Sequence, residues 1–289
     1  MEHDASPLAG PLISAATLRD DPGGLRCLDV RGQGREAYVA AHLGGALYAS
    51  LEEDLSDPAG DAARGGRNPL PPLSVWAATL GRWGITPSTR VVLYDDAGGA
   101  NAACRAWWML RAVGHEKVAV LDGGLGAARE AGVVISTEIP AVPSAAAYPV
   151  PDDGAWSLPT LSMEAVEAHR LDVDKRLIDV RAGSRFRGEE DSFDPIAGHI
   201  PGATNMPYAH NLGPDGRFLL RDELRALYEG VLDGYDAQAT AVYCGSGVTA
   251  CHALLALEQA GFPGASLYVG SWSEWSRSGR PRGSVLQPR

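Results

Sequence analysis

The residues best suited to chemistry are Cys244-Gly245-Ser246-Gly247-Val248-Thr249. Before them, Ala241-Val242-Tyr243 is a short apolar run that predicts a buried strand. After them, Leu254, Leu255, Leu257 and Ala260 recur at helical spacing, and Gly261 stands where a C-cap is expected. The cysteine is therefore expected to end a strand, on a tight loop that feeds the first turn of a helix. In such places the helix dipole and inward-pointing amides lower a thiol's pKa from its free value of roughly 8.5. The two glycines let successive N–H groups face one point, which makes an anion nest. Ser246 and Thr249 add hydroxyl donors. A thiolate, or an anionic adduct on it, would be held there without a metal. A merely structural cysteine would not need Gly-x-Gly beside it.

The elements that must position this loop occur twice. Leu25 to Val30 is apolar and ends in Asp29-Val30-Arg31, and Arg176 to Val180 ends in Asp179-Val180-Arg181. His42-Leu43-Gly44-Gly45-Ala46 is matched by His199-Ile200-Pro201-Gly202-Ala203. Arg90 to Asp95 is matched by Thr240 to Cys244, and Val118 to Gly124 by Ser266 to Ser271. Four blocks in one order imply an internal duplication, with a period far too long for a solenoid. Each half alternates apolar strands with helical segments, so each should be an α/β unit with a mostly parallel sheet flanked by helices. We expect a first domain over 1–140, a Pro- and Ala-rich linker over 141–158, and a second domain over 159–289. The first half has Asp95-Asp96 where the second has Cys244-Gly245, so only the second half can do thiol chemistry. In open parallel sheets a site lies beyond the carboxyl ends of the strands.

Composition narrows the classes of partner. The chain has 289 residues, 45% hydrophobic and 21% charged, with a net charge of -11. That balance suits a globular protein and argues against nucleic acid or an anionic membrane as the main partner. Four cysteines at 27, 104, 244 and 251 lack metal-type spacing and suggest a reducing compartment with one reactive thiol. The first residues carry Glu2 and Asp4 and no basic stretch, unlike a secretory signal, and no apolar run approaches the ~20 residues of a membrane span. A cytoplasmic enzyme is the expectation. The tail from Arg277 to Arg289 reads as an exposed arm with solvated arginines.

With these residues in view, the chain resembles the tandem-domain rhodanese-like sulfurtransferases, over roughly Ile13 to Trp275. The loop from Cys244 to Ala250 resembles the 3-mercaptopyruvate sulfurtransferase version, whereas thiosulfate enzymes typically carry two basic residues after the cysteine. Arg105-Ala106-Trp107-Trp108-Met109 and Leu121-Asp122-Gly123-Gly124 are also family-like. The resemblance implies two tandem rhodanese-like domains, the first without the catalytic cysteine. It also implies that Cys244 takes sulfur from 3-mercaptopyruvate or thiosulfate as a persulfide and passes it to cyanide or a thiol. The partners would then be a small anionic donor and a thiophilic acceptor. Arg185 matches the family's substrate arginine, and Gly245, Gly247, Val248 and Thr249 would complete the binding loop. Ser246 matches a serine proposed to act there with a histidine and an aspartate of the first domain. This chain has Asn68 at the histidine position, Glu52 as the best match for the aspartate, and Arg67 as a candidate to reach the site. Members of the mercaptopyruvate type often carry a second substrate arginine before the His-Ile-Pro block. Here that loop, Gly188 to Pro195, is acidic and has none.

Several residues have plainer readings. His42 and His199 share one place in both halves and are expected to be structural, as is Arg181, the counterpart of Arg31. Trp272 and Trp275 are candidates to wall the mouth of the site. A Cys-dependent phosphatase would place an arginine in the loop, where this chain has Ala250. A persulfide carrier working through a partner protein is the alternative function; it would load sulfur but turn over only with a specific acceptor.

Overall fold

A computed structural model describes residues 8, 10–57, 60–141, 144–151 and 154–283. The chain clusters into two compact units. The first comprises Met1–Leu55, Pro71–Ser157 and Pro214–Phe218, and the second Ser56–Leu70, Leu158–Gly213 and Leu219–Arg289. Each unit thus takes in a segment from the other half of the sequence. Among the described residues no helix is long and apolar enough to cross a membrane.

The first unit is built on a five-stranded sheet ordered Leu12–Ile13, Val118–Leu121, Arg90–Tyr94, Leu25–Asp29, Leu47–Tyr48, with every pairing parallel. The second repeats that order with Thr160–Leu161, Ser266–Tyr268, Thr240–Tyr243, Arg176–Asp179 and Thr204–Asn205, again all parallel. The register repeats as well, with Asp29 opposite Tyr94 and Asp179 opposite Tyr243. The central strands are apolar runs because helices cover both faces of such a sheet. Val91–Tyr94 and Ala241–Tyr243 are fully buried.

The same polar framework recurs at the strand ends. Arg31 donates bidentately to Asp29, and Arg181 to Asp179. Both arginines are buried, as the fold role expected of Arg181 requires. His42 stacks on Tyr38 with ring centroids 4.1 Å apart, and His199 on Phe186 at 3.8 Å. Each donates from Nδ1 to that aromatic residue's carbonyl at 2.7 Å. The histidines therefore brace the turn after the second helical segment of each half.

Two expectations are corrected. Trp272 and Trp275 are buried in the hydrophobic core of the second unit, their indole N–H groups bonded to the carbonyls of Ile196 and Pro281. Large apolar rings gain more from the core than from a wet mouth. The tail is also not a free arm as far as it is described. Gly283 pairs antiparallel with His199, and Arg277 bonds Asp194. Residues 284–289 lie outside the described residues. The Pro- and Ala-rich stretch belongs to the first unit up to Ser157, with Tyr148 buried and bonded through its N–H to the Ala77 carbonyl.

Candidate active site

The strand Thr240–Tyr243 delivers Cys244 to the carboxyl edge of the second sheet, and the helix Ala250–Ala260 starts six residues later. That helix is apolar on nearly every side and is buried almost throughout, which fixes its first turn. It ends at Gly261, left-handed at φ 88°. Between strand and helix the loop is held from outside. The Cys244 N–H donates to Ser271 Oγ at 3.1 Å, and the carbonyls of Cys244 and Gly245 accept from the N–H groups of Trp272 and Ser273. Gly247 has φ 76°, and a Cβ there would run into the Val269 carbonyl. Only glycine lets the loop turn at that point.

Cys244 lies in the wall of a cavity of about 360 Å³ lined also by Gly245, Ser246, Thr249, Arg185, Arg181, Arg67, Phe193 and Tyr208. Gly247 and Val248 are not among its lining residues; the first shapes the turn and the second is buried. The loops after two neighbouring strands, Arg176–Asp179 and Thr240–Tyr243, both feed this cavity, as the topology of an open parallel sheet requires.

The electrostatics are cationic over a carboxylate base. An ideal Cβ on Gly245 would stand 3.3 Å from both Arg185 Nη1 and Arg67 Nη2. Arg185 is held by Asp191, its Nη2 donating at 3.1 Å. Asp191 also meets Arg181 Nη1 at 3.5 Å. Burial disfavours the Arg181 charge, but Asp179 beside it more than offsets this and raises its pKa. Asp194, whose side chain is fully buried, accepts from Arg67 Nη1 and from Arg277 Nη1. Burial pushes that carboxyl up, but the hydrogen bonds from Arg67 and Arg277 outweigh it and leave its pKa below the ordinary value. The acidic loop before the His-Ile-Pro block thus aligns arginines rather than repelling an anion.

The remaining candidates fall elsewhere. Asn68 is not among the cavity residues, and its amide donates to Ser56 Oγ at 3.3 Å. Glu52 belongs to the first unit and accepts from Ser50 Oγ. His252 is buried on the helix, 3.2 Å from Asn211 Nδ2 and edge-on to Tyr208. Cys251 is buried there too, its thiol donating to the Gly247 carbonyl. The positions of Arg67 and Asp194 were not legible as a pair. The visible signals were the Gly65-Gly66 step before Arg67 and the Asp191, Asp194 spacing.

The first half carries the same loop with a different filling. Asp95 takes the cysteine's place, and its carboxylate accepts from the N–H groups of Ala97, Gly99, Asn101, Ala102 and Ala103 at 2.8–3.4 Å. The loop there is an anion nest occupied by the chain's own carboxylate.

Comparison with known proteins agrees with this geometry. The model of the rhodanese-like domain matches residues 14–131 and 162–278. A Pseudomonas aeruginosa protein named "Probable 3-mercaptopyruvate sulfurtransferase" is 42% identical over 243 residues, covering 84% of each chain. The thiosulfate sulfurtransferase of Gallus gallus is 34% identical over 300 residues, covering 98% of this chain and 99% of its own. The solved structure of 3-mercaptopyruvate sulfurtransferase from Leishmania major superposes with a TM-score of 0.82 at 28% identity, covering 94% of this chain and 75% of that one. The chain belongs to the rhodanese-like family. Within it, the chain is of the sulfurtransferase class.

Proposed function

We propose that this chain moves a sulfur atom from a small anionic donor to cyanide or a thiol through a persulfide on Cys244. The observation that carries the reading is Cys244 at a strand-to-helix loop, in a cavity that also holds Arg185 and the Ser246 and Thr249 hydroxyls. The Cys244 thiolate attacks the donor sulfur. An S–S bond forms, and the bond from that sulfur to the rest of the donor breaks with its electron pair. From 3-mercaptopyruvate the leaving fragment is the pyruvate enolate, which takes up a proton. From thiosulfate it is sulfite. The acceptor then attacks the outer sulfur and returns the pair to Cys244 as thiolate, which is covalent nucleophilic catalysis. Arg185 binds the donor's anionic group by charge-assisted hydrogen bonds. Ser246 supplies a hydrogen bond, and the amides of the loop stabilise the charge that develops on transfer. Gly245, Gly247, Val248 and Thr249 complete the loop, two of them by shape rather than by contact.

The donor proposed first is 3-mercaptopyruvate, because Gly245 and Ser246, not basic residues, follow the cysteine. The catalytic half is 159–289, joined through 141–158 to a half, 1–140, with no reactive thiol in its loop. A cytoplasmic setting is proposed because the four cysteines are free thiols. The test is steady-state transfer to cyanide from each donor in turn, with Cys244→Ser beside the wild type. Transfer favouring 3-mercaptopyruvate and lost in the variant supports the reading. Transfer that survives Cys244→Ser, or none from either donor, overturns it.

A further inference from the structure

Arg67 comes from the first half of the sequence, yet its segment, Ser56–Leu70, belongs to the compact unit that holds Cys244. The segment is tied down at Gly65, whose N–H donates to Glu274 Oε1 at 2.8 Å. Glu274 is in turn fixed by Tyr268, whose hydroxyl donates to Oε2 at 2.8 Å. At the next position, Gly66 has φ 80°, and any Cβ would strike the Gly270 carbonyl. The chain therefore enters close against the backbone and turns Arg67 into the cavity.

The two ends of the Arg67 guanidinium do different things. Nη1 is engaged by the buried Asp194 and by the Phe193 carbonyl at 3.4 Å. Nη2 stands over Gly245, the residue after the cysteine, at the same 3.3 Å as Arg185 Nη1. The Phe193 ring lies 5.5 Å from the Arg67 guanidinium carbon and 5.1 Å from that of Arg185, and so contacts both cations. Asp194 Oδ2 is 3.7 Å from Arg185 Nη2. Two guanidinium edges converging on one point beside a thiol make a clamp for one anionic group, and one carboxylate anchors the second of them.

We propose that Arg67 is a donor-binding residue, the second cation of the site, and that Asp194 with Arg277 is its positioning group. This rests on the sulfur-transfer reading and deepens it. The second arginine absent from the 188–195 loop is supplied from position 67, and the loop contributes the carboxylate that aims it. The donor class selected is compact, with an anionic group beside the transferable sulfur. Removing Arg67 should cost reaction with an anionic reagent more than reaction with a neutral one.

The test separates anion binding from turnover. Cys244 is alkylated with iodoacetate, which carries a carboxylate, and with neutral iodoacetamide, and the ratio of the two rates is taken. Loss of one charge-assisted contact corresponds to about a ten-fold fall in that ratio. We expect that fall in Arg67→Ala, a smaller one in Asp194→Asn, partial recovery in Arg67→Lys, and no change in Arg187→Ala, a surface arginine paired with Glu189. In sulfur transfer, Arg67→Ala should raise KM for the donor more than it lowers kcat. A wild-type ratio in Arg67→Ala, with the ratio lowered in Arg185→Ala, overturns the proposal. A fall in the ratio without Cys244-dependent transfer would sustain the clamp while sinking the sulfur-transfer reading. Circular dichroism of each variant checks that it folds.

Discussion

Gly247→Ala is the perturbation with the sharpest physical prediction. Gly247 is left-handed at φ 76°, and a methyl group there would meet the Val269 carbonyl, part of a backbone that cannot rotate aside. A left-handed residue other than glycine costs about 1–2 kcal/mol. Overpacking against fixed atoms adds about 1–3 kcal/mol. The second unit should lose about 2–5 kcal/mol, a large part of the 5–15 kcal/mol typical of a domain. Transfer should fall with it, because relieving the clash moves the loop that carries Cys244. Two other glycines calibrate the result. At Gly245 the added carbon would meet only the far ends of Arg67 and Arg185 at 3.3 Å, which can swing away. Gly245→Ala should therefore cost less than about 1 kcal/mol in stability but reduce transfer, since the arginines leave their places. At Gly230, inside the helix Arg221–Leu232, an added carbon meets nothing within 4 Å. Gly230→Ala should stabilise by about 0.5–1 kcal/mol. The assay is urea unfolding followed by far-UV circular dichroism, fitted with separate transitions for the two units. Gly247→Ala within 0.5 kcal/mol of wild type and fully active would refute this account of the loop, whatever the controls do.

Two further outcomes are expected. Iodoacetamide at pH 8 should label Cys244 before Cys27, as read by peptide mass spectrometry, because burial pushes the Cys27 thiol up to about 11 and leaves only about one in a thousand ionised; equal labelling of Cys27 would contradict this. Asp194 has its carboxyl held below the ordinary value of 3.8, so its stabilising pairs with Arg67 and Arg277 are fully present above that pH and are lost as pH falls through the lower folded value. The stability gap between wild type and Asp194→Asn should accordingly be constant from neutral pH to about 4 and shrink below it, and a gap unchanged down to pH 2 would rule out this linkage.

The local parts of the site were legible and the long-range parts were not. A strand, a Gly-x-Gly loop and an apolar helix around Cys244 follow from neighbouring residues, and the observed elements Thr240–Tyr243 and Ala250–Ala260 match them closely. The duplication was legible because each block is a strand end with its own polar lock, and the two sheets have one strand order. Arg67 was visible only as a candidate, since its entry depends on Gly65 meeting Glu274 across 209 residues. In sequence, the acidic loop shows only the lack of an arginine. Asp191 and Asp194 act through arginines from three separate stretches, and no local pattern specifies those partners. The sequence leaves the placing of Trp272 and Trp275 open for a similar reason. A tryptophan after a loop can face the cavity or the core, and the choice is made by the apolar residues of Ser266–Tyr268 and Arg176–Asp179 behind it.

The first half supplies an internal comparison for the chemistry. Its loop spends its amides on Asp95, five N–H groups converging on one buried carboxylate. A side chain that fills its own nest leaves nothing for an incoming anion. In the second half the same position carries a cysteine, which has no carboxylate to take up those donors. Cations complete the difference: Arg185 and Arg67 stand over Gly245, both braced by aspartates of the 188–195 loop. The substitution that separates the halves is therefore more than nucleophile for non-nucleophile. In the proposed transfer it exchanges a loop filled by the fold's own carboxylate for one that sets a reacting sulfur beside two cations.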